Sequence, residues 1–137
     1  MIATAIIAIE KGNLEQKVVV DKETPFEISG SHMALEPDET LTMNDLIYAA
    51  LIESANDAAT IIGKQISGST KEFAKLMNSK ALQLGCVNTN FVNPHGLHDE
   101  NHYTCAYDMA LISKYAYKEL DKYRELIATV RYEVPPT

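Results

Sequence analysis

The chain opens on a segment that is apolar on nearly every helical face. Residues 1–9 carry no charged side chain, and Glu10 is the first. A helix that is hydrophobic all round is typical of a buried position rather than a surface one. Lys11 and Gly12 follow as a helix stop, with the glycine just past the end. The pattern predicts a buried helix over residues 1–11.

Two short β-prone runs come next. Lys17 to Val20 and Phe26 to Ile28 are rich in β-branched or aromatic residues, and turn residues including Pro25 separate them. Runs bounded in this way are typical of short strands. We expect one or two strands within residues 17–28, arranged as a hairpin or as two edge strands.

Helical spacing dominates residues 42–129. Thr42 and Asp45 have the pattern of a helix N-cap, and the apolar positions that follow recur every three or four residues. This helix should break at Ser54-Ala55-Asn56, and a second should run from Asp57 to about Gln65. These elements predict a mainly α fold, an α+β fragment with one or two short strands near its N-terminus.

The pattern changes again after the second helix. Residues 69–72 have a capping-box sequence for a third helix, which should close at Gly85. From Gly85 to Cys105 no period is evident, and ~20 residues without one indicate a functional loop inside a compact domain. Two more helices are predicted between residues 106 and 129, with an extended tail over residues 130–137.

Composition narrows the class of protein. The 137 residues are 46% hydrophobic, which suffices for the core of one domain, and we treat residues 1–137 as a single partial domain. Twelve basic and nineteen acidic side chains leave a net charge of −7, which argues against nucleic acid as a partner. No apolar run approaches the ~20 residues of a membrane span, and no basic segment precedes Ile2 to mark a signal peptide.

Ser54 and Asn56 are the first candidate site residues. In one interpretation they lie at a helix junction and cap free backbone amides, as Ser and Asn commonly do. In the other, they place a hydroxyl and an amide on a tight turn that faces a cleft. Sequence spacing alone favours the first interpretation.

The segment from Asn93 to His102 is the second candidate. It holds three histidines, spaced by three and then four residues, together with Asp, Glu and Asn side chains. Zinc accepts such ligands, but Pro94 and Gly96 interrupt the segment and no His-Glu-x-x-His pair is present. We therefore expect no metal and no cofactor. An Ω-type lid, closed by its own Asn, Asp and His side chains, is the favoured interpretation.

The two cysteines are interpreted as small apolar packing residues. Neither Cys86 nor Cys105 has a neighbouring His or Lys in sequence that would activate a thiolate. Cys105 stands three residues before Asp108, where a capping box normally has Ser or Thr. The tyrosines at 115, 117 and 123 are expected in the core or at its boundary.

The order of four segments carries a family resemblance. Thr4-Ala5, Ser54 to Ala59, Asn93 to Leu97 and His102 to Ala110 follow one another along the chain. Together they resemble the low-molecular-weight penicillin-binding proteins, the serine D-alanyl-D-alanine carboxypeptidases, from Met1 to about Val134. The resemblance implies the helical lobe of a β-lactamase/transpeptidase-like fold. It also implies a parent enzyme that removes the terminal D-alanine from peptidoglycan stem peptides and that β-lactams acylate.

The resemblance implies a role for several residues. Ser54 matches the serine of the family's Ser-x-Asn motif, which relays protons between two lysines and the departing amine. Asn56 matches the amide that holds the substrate carbonyl and steadies the first lysine. The loop from Asn93 to His102 resembles the lid along the cleft floor, and Met33 resembles a residue flanking the cleft, to which no role is assigned.

The departures from the family pattern concern the other two motifs. Aligning Thr4-Ala5 with the family's Lys-x-Met-Thr-Ala places Met1 where the catalytic lysine belongs, with the nucleophilic serine upstream of the chain. No Lys-Thr-Gly occurs in the 137 residues. Cys86 and Cys105 stand where the family commonly has Met and Ser or Thr. We therefore expect a fragment that is inactive by itself, because nucleophile and base act as a unit.

Three further expectations concern location, self-association and alternative functions. The parent should be extracytoplasmic, exported or membrane-associated, since peptidoglycan lies outside the cytoplasmic membrane. In the whole family fold the first helix would pack between a sheet and the helical lobe. Without that sheet, Ile2, Ile6 and Ile9 should be less covered, so we expect either self-association through the first-helix face or a repositioned first helix. A non-catalytic penicillin-binding-like scaffold or peptidoglycan-binding domain would also suit the missing motifs, although it has little chemical need of Ser54 and Asn56. An unrelated helical interaction domain is the last alternative.

Overall fold

The fold is known from a computed structural model that describes residues 1–27, 35–97 and 99–129. In these ranges the chain forms seven helices and a two-stranded antiparallel sheet. The mainly α fold with short strands near the N-terminus is thereby confirmed. In chain order the elements are α1 Ile2–Lys11, β1 Lys17–Val19, α2 Thr24–Glu27, β2 Thr40–Thr42, α3 Met43–Ile52, α4 Asn56–Ser67, α5 Thr70–Gln83, α6 Ala106–Glu119 and α7 Asp121–Ile127.

Helix α1 lies at the centre of the molecule. Its residues Ala3 to Ala8 are buried, and it contacts α3, α4, α5, α6 and α7. Ile6 is 0% exposed, so the expectation that it loses cover is wrong. Ile6 stays buried because Ile112 of α6 and Tyr123 of α7 belong to the same apolar cluster. Ile2 and Ile9 are only partly buried.

Sequence analysis predicted one of the two strands that pair. Lys17 pairs with Thr42 and Val18 with Leu41, so β1 lies where a strand was expected. Its partner is β2, which precedes α3 directly and was not predicted. Both Val18 and Leu41 are 2% exposed, because the alternation of a strand turns one face into the core.

The predicted strand at Phe26 to Ile28 is wrong. Thr24–Glu27 forms the short helix α2, and Ile28 lies outside the described residues. The carboxylate of Asp21 accepts hydrogen bonds from the Thr24 backbone N–H at 2.7 Å and from its hydroxyl at 3.0 Å. Pro25 then occupies the first helical turn, where a missing N–H costs nothing. These local signals outweigh the β propensity of Phe and Ile.

The caps predicted from sequence are present in different degrees. Thr42 and Asp45 form the reciprocal capping box of α3. At α5, Ser69 accepts from the Glu72 N–H at 3.1 Å, whereas the Glu72 carboxylate bonds Lys75 at 3.0 Å, so only half of the expected box forms. At α6, the Cys105 sulfur accepts from the Asp108 N–H at 3.5 Å and replaces the usual hydroxyl.

Two apolar clusters share α1. The larger joins α1 to β1, β2, α3, α4, α5 and Leu126 of α7, and the smaller joins it to Ala81 of α5 and to α6 and α7. Cys86 is 3% exposed and packs in the smaller cluster, as expected of a small apolar residue.

Tyr123 is buried, but Tyr117 is 56% exposed and belongs to no core. Met33 and the predicted tail over residues 130–137 lie outside the described residues.

Candidate active site

The turn between α3 and α4 presents Ser54. The Ala49 carbonyl accepts hydrogen bonds from the N–H of Glu53 at 3.1 Å and of Ala55 at 3.2 Å, which closes the end of α3. Ser54 lies between these two donors with φ 52°, in the left-handed region, and its side chain is exposed. A left-handed conformation of a non-glycine residue costs about 1–2 kcal/mol. Such strain is found at functional sites, where the surrounding structure maintains it.

Asn56 begins α4 directly after this turn. It is 5% exposed, and its carbonyl accepts the Thr60 hydroxyl at 2.9 Å within the helix. The N-cap of α4 is Ala55, not Ser54, so the serine does not stand at the N-cap position. The structure thus brings Ser54 and Asn56 together on one tight turn, with a hydroxyl in solvent and an amide at its base.

Asp57 stabilises the start of α4. It is 2% exposed, one carboxylate oxygen accepts the Ala58 N–H at 2.9 Å, and the other accepts the Leu35 N–H at 3.2 Å. A carboxylate in the first turn also interacts favourably with the helix dipole. Sequence analysis did not single out Asp57, although an acidic residue in a first helical turn is a recognisable signal.

The long loop between α5 and α6 is closed at its base. Asn90 and Tyr103 form an isolated antiparallel bridge, with N–H to carbonyl distances of 2.8 and 3.0 Å. The side chain of Asn78 on α5 donates to the Phe91 carbonyl at 2.9 Å and accepts the Phe91 N–H at 2.7 Å. The segment without a helical or strand period is therefore a loop whose ends are held by hydrogen bonds.

Side chains satisfy the backbone inside this loop. His102 Nδ1 accepts the Val92 N–H at 3.1 Å, and His95 Nδ1 accepts the Leu97 N–H at 3.1 Å. Asn93 accepts the Gly96 N–H at 2.7 Å. Asn and His therefore close the loop internally, in the way expected of an Ω-type segment. His98, also part of the predicted loop, lies outside the described residues.

A buried hydrogen bond joins the loop to α1. The hydroxyl of Thr4, which is 0% exposed, donates to the Pro94 carbonyl at 2.6 Å. Helix α1 also contacts α3 and α4, the two helices that flank Ser54. The loop and the Ser54 turn therefore border the same helix. Sequence analysis could not find the Thr4–Pro94 contact, because no local pattern links residues that far apart.

The imidazoles of His95 and His102 favour the neutral form. Burial lowers the pKa of His95, and the charges of His102 and of the Met1 α-amino group lower it further. Burial and the Met1 α-amino group also lower the pKa of His102, while Asp99 opposes them. In the described part of the chain, no three His, Cys, Asp or Glu side chains are grouped so as to hold a metal ion.

The fold places the chain among penicillin-binding and transpeptidase structures. Penicillin-binding protein 5 from Haemophilus influenzae is 30% identical, with a TM-score of 0.83 over 91% of this chain and 38% of that one. A cysteine-to-alanine mutant of the Streptomyces K15 DD-transpeptidase is 28% identical, with a TM-score of 0.87 over 96% of this chain and 54% of that one.

Sequence comparison specifies the family. A family profile described as D-alanyl-D-alanine carboxypeptidase, Peptidase_S11, matches residues 2–134. The D-alanyl-D-alanine carboxypeptidase DacF from Bacillus subtilis strain 168 is 42% identical over 120 residues, which are 87% of this chain and 30% of that protein. The chain therefore belongs to the D-alanyl-D-alanine carboxypeptidase family of serine peptidases. It spans less than a third of the length of that curated relative.

Proposed function

We propose that this chain is the helical lobe that carries the Ser-x-Asn motif of a serine-type D-alanyl-D-alanine carboxypeptidase. The parent protein would remove the terminal D-alanine from peptidoglycan stem peptides through an acyl-serine intermediate, and β-lactams would acylate the same serine. The observation that carries the proposal is the Ser54 turn, in which an exposed serine with a backbone φ of 52° lies two residues before the buried Asn56. Family membership supplies the reaction class.

In this proposal Ser54 and Asn56 assist a nucleophile that they do not replace. A serine hydroxyl attacks a carbonyl only when a neighbouring group takes its proton, and donors then stabilise the oxyanion. Ser54 would relay the proton to the departing amine, and the Asn56 amide would hold the substrate carbonyl. No Ser-x-x-Lys or Lys-Thr-Gly sequence occurs in the 137 residues. The isolated chain should therefore carry out no acyl transfer.

Covalent labelling with a fluorescent penicillin tests this directly. The 137-residue chain and the longer gene product are labelled side by side and compared on a denaturing gel. Label on the longer product alone supports the proposal. Label on the short chain would make a serine within it, Ser54 first, the nucleophile and would overturn the assignment of Ser54 as a relay.

The absence of those two motifs from the chain also suits a non-catalytic peptidoglycan-binding scaffold. In that case the longer product stays unlabelled although it is folded. Ser54→Ala in the longer product separates the two functions further. It should slow acylation by the labelled penicillin if Ser54 relays protons, whereas a scaffold has no acylation to slow.

The remaining proposals concern location and self-association. None of the helices in the described ranges is long and apolar enough to cross a membrane. We infer an extracytoplasmic location for the parent from its family, because its proposed substrate is peptidoglycan. Self-association through the α1 face also stays a prediction, since Ile2 and Ile9 are only partly covered. Light scattering over a range of concentrations tests it, and a strictly monomeric chain would contradict it.

A further inference from the structure

The loop between α5 and α6 depends on two histidines in one protonation state. The Val92 N–H points at His102 Nδ1, and the Leu97 N–H points at His95 Nδ1. A backbone N–H can only donate, so each Nδ1 must carry a lone pair. Both rings are therefore neutral in the closed loop, with the proton on Nε2.

We propose that His95 and His102 are positioning residues that keep the described parts of the loop, residues 91–97 and 99–103, closed on themselves only while both imidazoles are neutral. Protonation places a hydrogen on Nδ1, opposite another hydrogen of the backbone. Each bond is then lost, and the N–H of Val92 or Leu97 has to find water instead. The loop would loosen at these two histidine bonds, while the Thr4–Pro94 bond still links it to α1.

The charged groups around the two rings favour this behaviour. His95 lies near His102 and near the Met1 α-amino group, which precedes α1. A positive charge on the His95 ring is therefore repelled by that amino group and by a charged His102. His102 faces the same α-amino group, and Asp99 within the loop partly compensates it. The rings of Phe91 and His102 meet edge to face, with centroids 5.6 Å apart.

The direction of the pH dependence follows from these pKa shifts. Burial, as the largest cause, lowers the pKa of both histidines below the ordinary value of 6.5. A group whose pKa is lower in the closed loop binds its proton more readily in the open one. The stabilisation of the closed loop by its neutral histidines is complete above the ordinary pKa of 6.5. It is lost as the pH falls through the lower pKa values that the two histidines have in the closed loop. For each histidine, the open fraction there rises by up to about tenfold per pH unit.

The consequence for catalysis rests on the proposed function. The loop and the Ser54 turn border the same helix, so a loosened loop would alter the floor of the cleft beside the second motif. In the proposed longer protein residue 1 would follow an upstream segment and carry no charged α-amino group, but burial of the two rings would remain, and acylation should then decline in mild acid. The loop itself is measurable in the 137-residue chain without any activity.

Nuclear magnetic resonance on the full chain tests the proposal. At neutral pH the ring nitrogens of His95 and His102 should show the Nε2–H tautomer. Amide exchange of Val92 and Leu97 should accelerate in mild acid beyond the intrinsic pH effect, by up to about tenfold per pH unit for each histidine, while amides in α3 and α5 stay protected. An Nδ1–H tautomer at neutral pH would overturn the proposal. So would amide protection of Val92 and Leu97 that stays unchanged after the rings have been protonated.

The matched variants are His95→Asn and His102→Asn. The Asn side-chain oxygen can accept the same backbone N–H but does not titrate. The double variant should keep Val92 and Leu97 protected in acid, whereas His95→Ala with His102→Ala should expose both at every pH. An acid-induced loss of protection that persists in the Asn double variant would contradict the assignment to these histidines. If the longer protein proves inactive, the exchange result still decides the loop proposal by itself.

Discussion

The hydroxyl of Thr4 and the carbonyl of Pro94, 90 residues apart in sequence, form a buried 2.6 Å hydrogen bond. Thr4 lies on the central helix α1 and is fully buried, and Pro94 lies within the long loop. This bond fastens an otherwise irregular segment to the helix that also supports the Ser54 turn. The loop and the candidate site at Ser54 therefore share α1 as their support.

Replacing Thr4 by Val tests the contribution of this bond. The substitution keeps the shape but leaves the buried Pro94 carbonyl without its donor, which costs about 1–3 kcal/mol of unfolding free energy. Urea denaturation measures the loss, and amide exchange should increase in the loop. Thr4→Ser is the matched control, because it keeps the hydroxyl, and it should recover most of the stability. Equal losses in both variants would indicate that methyl packing, not the hydrogen bond, matters.

Replacing Ser54 by Gly tests whether the turn is strained. Glycine adopts φ 52° without penalty, and the relief exceeds its entropic cost, so stability should rise by up to about 1 kcal/mol. Thermal unfolding measures the change. Asp38→Gly is the matched control, since Asp38 also has positive φ, at 66°, and lies away from the turn. In the longer protein only Ser54→Gly should slow penicillin labelling. A loss of stability in Ser54→Gly would contradict the strain argument.

Asp108 should make the stability of the loop base depend on pH. Its carboxylate accepts the Thr89 hydroxyl at 2.7 Å and the Asn88 N–H at 2.8 Å. The Thr89 bond, followed by the Asn88 bond, lowers the pKa of Asp108 although burial opposes it. The stabilisation is therefore complete above the ordinary value of 3.8 and is lost as the pH falls through the lower folded value.

The variant Asp108→Asn tests that assignment. It should be less stable at neutral pH and should show a flatter pH dependence between neutral and acid conditions, as measured by urea denaturation. Asp121→Asn serves as the control, because its side chain is 94% exposed. If Asp108→Asn retained the full acid dependence of the wild type, other carboxylates would be responsible.

Lys80 links three helices through one ammonium group. It bonds Glu10 of α1 and the Tyr115 hydroxyl of α6, each at 3.0 Å, and lies 4.1 Å from the Tyr115 ring centroid. Its side chain is 16% exposed, which distinguishes it from a surface ion pair. A double-mutant cycle with Lys80→Met and Tyr115→Leu, which removes both the hydroxyl and the ring, should give a coupling of about 0.5–1 kcal/mol. The exposed Lys75–Glu72 pair is the control, and additive effects at Lys80 and Tyr115 would contradict the link.

Local chemistry made much of this structure readable from the sequence. The apolar run at residues 2–9 identified the buried helix, because a helix that is apolar on nearly every face has no polar face to present to water. The cap residues Thr42 and Ser69 marked helix starts, since their side chains bond amides only three residues away. The order of the short motifs was enough to reach the family and to select Ser54 and Asn56. The strand expected at Phe26 to Ile28 failed because the turn at Asp21 and Pro25 overrode β propensity.

Only the tertiary structure decided what surrounds these residues. The bonds of Thr4 to Pro94 and of Asn78 to Phe91 join segments that no periodicity connects. The burial that lowers the pKa of His95 likewise depends on packing and not on local sequence. A sequence determines local hydrogen bonds and apolar faces because their partners lie within a few residues. Long-range hydrogen bonds, burial and the resulting pKa shifts arise from packing, and in this protein they are what position the site.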